Sequence, residues 1–308
     1  FIVYTSIALI DHAKKLFPVC RSLTGKGVRE TLKYFEDFHS EYERLVFCTG
    51  RKVFDWEIPR EWNIRDAYIQ HIETGKKYAQ FSASNLHVMG YSIPVDGIFE
   101  LEELKAHIYT QKDQPEWIPY VTSFYKENWG FCLSQVEKDM LPKGKYRAVI
   151  DSSLEAGELH ISHASLSGKC SEEIFFSSYV CHPSMANNEL SGPVVLNAIL
   201  AYVKEKYPDH RFTYRFALLP ETIGSISYLS LYGDAMKKNV ICGFNLSCVG
   251  DERAYSYVQS PYANTMADKA LTAALFHKKD VCVYSFLERG SDERQYCSPG
   301  IELPLCTF

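Results

Sequence analysis

An α/β fold with a mainly parallel sheet, helices on both faces and a small inserted β-rich domain is what this 308-residue chain predicts. Three observations carry that reading. Beyond about residue 146, apolar runs of strand length alternate with helical segments, the pattern of a sheet covered on both sides. Two strand ends carry chemistry, Cys181-His182-Pro183 and Pro220-Glu221-Thr222, and ligands gather at the carboxyl ends of strands in such sheets. Residues 53–135 have a different texture, with short aromatic stretches punctuated by proline, which is β-domain composition.

Taken in order, residues 5–16 read as a first helix, because Leu9, Ala13 and Leu16 share a face at helical spacing. The apolar residues 1–10 could also end a signal-peptide core, but no basic leader or small-residue cleavage site accompanies them. Residues 29–42 repeat the helical spacing, and 43–48 read as a strand. The inserted domain follows over 53–135, so that 1–52 and 136–308 form the α/β domain. In that domain 146–151, 157–162 and 174–180 are expected strands. A helix from Val194, a strand from Phe212, a helix from Ser225, a strand from Val240, a helix from Met266 and a strand from Val281 complete the alternation. The chain starts without Met and stops in mid-pattern at Thr307-Phe308, as a piece of a longer protein would.

Bulk properties narrow the function. A composition 46% hydrophobic and 14% aromatic supplies a large core. The net charge of −5, with Lys and Arg scattered, argues against nucleic acid or an anionic membrane as partner. No apolar run approaches the roughly 20 residues needed to span a bilayer. Ten cysteines without a CxxC pair, several inside apolar segments (Cys48, Cys132, Cys242, Cys282), read as buried free thiols of a reducing cytoplasm.

Four junctions hold the candidate site, and each has two readings. His182 at a strand end is either a satisfied structural histidine or a metal ligand, the Ser191-Gly192 helix start favouring the second. Glu221 is either a first-turn carboxylate, worth under ~1 kcal/mol to its helix, or a general base that deprotonates a metal-bound water, whose pKa zinc lowers to about 7. Asp251 either ligates or caps a turn. The charged run from Glu288 to Arg294 is either a solvated turn with internal ion pairs or a substrate clamp, with Arg289 or Arg294 facing a carboxylate. There is no Gly-rich phosphate loop and no GxSxG elbow. Cys181 and His182 make no dyad, because strand neighbours point to opposite faces.

Read together, His182, Asn188-Glu189-Leu190-Ser191-Gly192, Glu221-Thr222-Ile223-Gly224, Gly290-Ser291-Asp292 and Gly300-Ile301-Glu302-Leu303-Pro304 resemble the zinc aminopeptidase and glutamate carboxypeptidase superfamily. The likeness is closer to a bacterial aminopeptidase-like subfamily often found with polysaccharide-biosynthesis genes. Its hallmarks resemble Leu16-Phe17-Pro18-Val19-Cys20-Arg21-Ser22-Leu23-Thr24-Gly25, Phe54-Asp55-Trp56, Pro119-Tyr120-Val121-Thr122-Ser123 and Pro220 to Ser225. The resemblance implies a zinc-peptidase-like fold, a His182 ligand, a Glu221 base, and carboxylates where this chain has Asn188, Thr222 and Ser247 or Asn245. Amide and hydroxyl oxygens are weak zinc ligands, so a two-metal site is not expected. A last His ligand, which relatives carry downstream of Gly-Ile-x-Pro, lies past Phe308.

The resulting expectation is a cytoplasmic, zinc-dependent aminopeptidase-like hydrolase of a peptide or amide bond, with one zinc on His182 assisted by Asn188, Glu189 or Asp251. Glu221 is then the general base, and Glu189, Arg253, Arg289, Asp292, Glu293 and Arg294 line the substrate. A small peptide or amide substrate is expected, with no nucleic acid or membrane partner, and homo-oligomerisation is open. Two rivals stand beside it: a peptidase-like binding or regulatory module that has lost catalysis, and an amidase or deacetylase tied to polysaccharide synthesis.

Overall fold

The computed structural model describes residues 6–308 and divides them into two compact units, residues 6–23, 27–58 and 159–308 in one, and 24–26 and 59–158 in the other. Thr5, the expected start of the first helix, lies outside the described residues; the helix is described as α1, Ser6–Leu16.

The larger unit is built on eight strands: β1 (Tyr42–Cys48), β2 (Glu158–Leu166), β3 (Glu173–Tyr179), β4 (Thr213–Leu219), β5 (Val240–Asn245), β6 (Tyr255–Val258), β7 (Val281–Tyr284) and β8 (Leu305–Thr307), in the order β1-β2-β4-β3-β5-β8-β6-β7. Besides α1 its helices are α2 (Lys26–Glu36), α3 (Gly192–Lys206), α4 (Ile223–Asn239), α5 (Met266–Leu275) and the single turn α6 (Glu293–Tyr296). The sheet is mixed. β4, β3, β5 and β8 run parallel, as do β6 and β7, whereas β2 meets β4 and β6 meets β8 antiparallel. The expected parallel pattern therefore covers the inner strands, where helical crossovers α3 and α4 return the chain; β2 enters from the interrupting unit and needs no such crossover.

Adjacent residues of β3 show both faces being covered. Phe176 stacks on Phe216 with centroids 5.5 Å apart, on the side packed by α1, α2 and α3 through Leu16, Leu32, Leu196 and Leu200. Phe175 points the other way and stacks on Tyr228 of α4, with Tyr296 edge-on at 5.1 Å. α3 begins Gly192-Pro193, which suits a first turn whose N–H groups need no internal partner, and ends with Lys204 and Lys206 beside its negative pole.

The second unit is a four-stranded antiparallel sheet in the order 77–78, 61–71, 145–155 and 95–100. Lys145–Glu155 pairs along Glu61–His71, from Glu61 with Glu155 to His71 with Tyr146. The inserted unit therefore runs to residue 158 instead of stopping at 135, and the strand expected at 146–151 belongs to it. At the other boundary, the short hairpin around Phe54-Asp55-Trp56 falls in the larger unit. All ten cysteines are free thiols; Cys132 and Cys242 are buried, Cys282 half-buried and Cys48 exposed. Among the described residues no helix is long and apolar enough to cross a membrane.

Gly192 fixes the loop that feeds the site. A Cβ there would lie 2.3 Å from Ser178 Oγ and 2.4 Å from the Leu246 carbonyl oxygen, which itself accepts the Ser178 hydroxyl at 2.8 Å. Gly192→Ala should lower unfolding free energy by roughly 1–3 kcal/mol or more, read by urea denaturation; an unchanged midpoint would show that α3 does not need this close approach.

Candidate functional site at the strand ends

Three neighbouring strands, β4, β3 and β5, end in loops that each hold a non-glycine residue at positive φ: Thr222 at 64°, Ser184 at 42° and Cys248 at 57°. Left-handed backbone costs an L-residue roughly 1–2 kcal/mol, and such strain collects where surrounding structure over-determines a loop. The loops after β3 and β4 bring His182 and Glu221 face to face.

The centre of the site is a buried clasp. Arg21 and Glu189 are each 1% exposed and lie 168 residues apart in the chain, with Arg21 Nε donating to Glu189 Oε1 at 2.6 Å. Arg21 also donates from Nε to the His182 carbonyl at 3.0 Å and from Nη1 to the Leu16 carbonyl at 2.7 Å. Glu189 Oε2 accepts the Cys181 amide at 2.5 Å, the His182 amide, and His182 Nδ1 at 2.9 Å. A carboxylate only accepts, so Nδ1 carries a proton. That leaves Nε2 directed at Glu221, 3.8 Å from its Oε2. Glu189 reaches inward because residues 186–191 form a wide, π-like turn broken at Asn188, whose φ and ψ are −98° and 88°. Burial disfavours a charged His182, but Cys181 and the Glu189 carboxylate outweigh it and raise its pKa. Burial pushes the Cys181 thiol up to about 11 against the opposing pull of His182.

Glu221 is set by a second buried carboxyl. Its amide donates to Cys181 Sγ at 3.3 Å, and burial raises its pKa against the opposing pull of His182, Ser291 and Arg294. Asp292, wholly buried, accepts the Thr222 amide at 2.7 Å and the Ser225 hydroxyl at 2.9 Å through Oδ1. Its Oδ2 has no partner, and burial together with Glu221 lifts its pKa to about 8. Asp292 thus holds the strained Thr222 turn that aims Glu221.

The other expected residues are engaged elsewhere. Asn188 Oδ1 accepts the Tyr179 hydroxyl at 2.6 Å, and that hydroxyl also meets Ser247 Oγ at 2.6 Å. Asp251, expected as a ligand, is tied to its near neighbour Arg253, whose Nε lies 2.9 and 3.0 Å from the two carboxylate oxygens and holds Asp251 down to about 2. Neither residue of that exposed pair joins His182. Arg289 lies over the Phe286 ring at 4.8 Å and donates to the Phe286 carbonyl. Glu293 is buried and accepts the Gly290 and Ser291 amides at 2.7 and 2.9 Å and the Thr307 hydroxyl at 2.6 Å. Arg294 donates to the Ser291 carbonyl at 3.0 Å. Arg289, Glu293 and Arg294 thus bond largely within their own segment, whereas Ser291 and Asp292 reach Glu221 and the Thr222 turn. Sequence reasoning passed over Arg21 as a site residue, although a lone Arg in the apolar stretch from Leu16 to Leu23 signals a buried partner.

Among the described residues one group of side chains could hold a metal. Cys181, His182 and Glu189 bring ligand atoms within 4.8 Å of one another. Both Glu189 oxygens already serve Arg21 and three donors of residues 181 and 182. Among the described residues, His182 Nε2 and the Glu221 carboxylate face each other outside the clasp, and a catalytic zinc takes three protein ligands.

With the geometry described, comparison with known proteins is direct. Residues 10–308 match the family described as Domain of unknown function (DUF4910). The chain belongs to that family. It is 44% identical over 296 residues to a Clostridium acetobutylicum protein named for polysaccharide biosynthesis with an aminopeptidase-like domain, covering 95% of this chain and 66% of that relative. The chain thus spans just under two thirds of the relative's length. A crystal structure of a protein from Clostridium acetobutylicum described as a peptidase superposes with a TM-score of 0.93 at 41% identity, covering 97% of this chain and 70% of that one. The zinc aminopeptidase BSAP from Bacillus subtilis shares the fold, with a TM-score of 0.66 at 10% identity over 100% of this chain and 86% of its own. The expected aminopeptidase-like resemblance is shown by these relatives.

The clasp predicts strong coupling. Arg21→Met should cost roughly 3–5 kcal/mol, because it strands a buried carboxylate. Arg21→Met with Glu189→Leu should cost clearly less than the two single changes added together. Additive costs in a denaturation cycle would show that the two groups do not act as a pair.

Proposed function

We propose that this chain is a peptidase-like binding domain, which holds a small peptide- or amide-type ligand against the His182–Glu221 pair and does not carry out two-metal hydrolysis. The donor set is the observation that carries the reading: Asn188 stands hydrogen-bonded to Tyr179 where a bridging carboxylate is implied, Thr222 replaces a second Glu, and Glu189 is consumed in the clasp. The raised pKa of His182 supports an imidazolium N–H facing Glu221. Such a pair offers a donor beside an acceptor, and an amide group presents the complementary carbonyl and N–H. The fold is that of aminopeptidases, which supports ligand class more than reaction. The name of the Clostridium acetobutylicum relative supports a setting in polysaccharide biosynthesis, and ten free thiols support a reducing, cytoplasmic one.

Metal content and turnover test the reading together. Wild-type protein should hold well below one zinc per chain and leave aminoacyl anilides and N-acetylated amino sugars uncleaved, with or without added zinc. Asn188→Asp with Thr222→Glu should raise zinc uptake by restoring two carboxylates. In a thermal-shift screen of dipeptide amides and N-acetylated amino sugars, the stabilising compounds should lose their effect in Glu221→Gln. About one zinc per wild-type chain, with turnover abolished by His182→Ala, would overturn the binding-domain reading in favour of a hydrolase.

A further inference from the structure

Asn188 was expected beside a metal, and its hydrogen bonds suit another task. Its Oδ1 accepts the Tyr179 hydroxyl at 2.6 Å, and the same hydroxyl meets Ser247 Oγ at 2.6 Å. A hydroxyl has one proton to give. With that of Tyr179 given to Asn188, Ser247 supplies the proton at the second contact. Burial raises the Tyr179 pKa, and nearby Cys248 and Glu221 add to the rise, so the hydroxyl keeps the proton it donates. The Tyr179 ring also meets the His182 ring edge-on at 5.3 Å. Asn188 therefore belongs to the same strand-end cluster as His182 and Glu221. Its turn is fixed on both sides. Asn187 Oδ1 accepts the Gly250 amide at 2.8 Å, Ser191 Oγ accepts the Val249 amide at 3.0 Å, and Glu189 is locked in the clasp. Yet Asn188 itself is exposed, and its Nδ2 has no partner among the described residues. One end of the carboxamide is tied down and the other offers two unused N–H donors.

We propose that Asn188 binds the carbonyl of the amide ligand through Nδ2, beside His182 Nε2, while Glu221 accepts the ligand N–H. The assignment rests on the amide-binding reading above and adds to it the residue that recognises the carbonyl. A carbonyl oxygen has two lone pairs, so donors from His182 and Asn188 are both accommodated. Tyr179 is then a positioning residue, acting through the carboxamide it holds. A donor whose rotamer is already set binds at a lower entropic cost than a mobile one. The carboxylate that the resemblance implies at this position would offer acceptors only. An amide in its place turns the position into a donor, and with it changes what the position binds.

A pair of probes separates the two contacts. N-acetylalanine methyl ester carries an amide, whereas methyl O-acetyllactate keeps the carbonyl and lacks the N–H. In calorimetric titrations, Asn188→Ala should weaken both compounds about two- to tenfold, the usual worth of one hydrogen bond, with melting temperature showing a folded chain. Glu221→Gln should weaken the amide and spare the ester. Tyr179→Phe should weaken both by a smaller factor than Asn188→Ala. Combined with Asn188→Ala it should add nothing, because its effect passes through Asn188. Dissociation constants unmoved by Asn188→Ala, or a Tyr179→Phe effect that persists in full on top of it, would overturn the Asn188 assignment and leave the amide-binding reading standing. Wild-type protein that binds neither compound would overturn that reading and this assignment with it.

Discussion

The Arg21–Glu189 ion pair is the constraint on which the site depends. Both side chains are buried, and moving two charges out of water is costly unless further hydrogen bonds complete them. Here most of them are met: Arg21 reaches the carbonyls of Leu16 and His182, leaving only its Nη2 without a partner, and Glu189 gathers two amides and an imidazole. The pair therefore ties the end of α1, the end of β3 and the irregular turn before α3 into one unit. Removing any member leaves a buried charge without its partner, which is why the clasp behaves as a whole.

From that constraint the rest of the site follows by orientation. Glu189 fixes the proton on His182 Nδ1, so Nε2 is aimed at Glu221. Glu221 in turn is aimed by a strained Thr222 turn that the buried Asp292 holds through the Thr222 amide. Two carboxyl groups act through other residues, and one histidine and one carboxylate face each other. A carboxylate behind a histidine is the arrangement that orients metal ligands in zinc enzymes. In this chain the orienting shell is intact while the positions that would complete the ligand set hold Asn188 and Thr222.

How much of this was legible in sequence depends on the range of the interaction. His182 and Glu221 stood out because each follows an apolar strand and precedes a helix start, a local pattern. The alternation of strands and helices likewise marked the inner sheet. The inserted unit's boundary was missed because Lys145–Glu155 has the same apolar alternation as strands of the main sheet, and only its pairing with Glu61–His71 assigns it. Glu189 was read as a substrate contact because a helix-like spacing does not reveal the wide turn that points it inward. Arg21 in its apolar stretch signalled a buried partner, but not which one, because Glu189 lies 168 residues away. In the charged run from Glu288 to Arg294, Glu293 holds the Gly290 and Ser291 amides while Asp292 reaches the Thr222 turn, a division that residue spacing does not reveal.

The state of the His182 ring tests this account most directly. Nitrogen-15 spectra of histidine-labelled protein, with the His182 signals assigned by their loss in His182→Gln, should show Nδ1 protonated at neutral pH and both ring nitrogens unmoved by an equivalent of zinc. A zinc-induced shift of Nε2 that saturates at one equivalent, or a ring protonated only at Nε2, would contradict the clasp and return the site to the metal-centre reading.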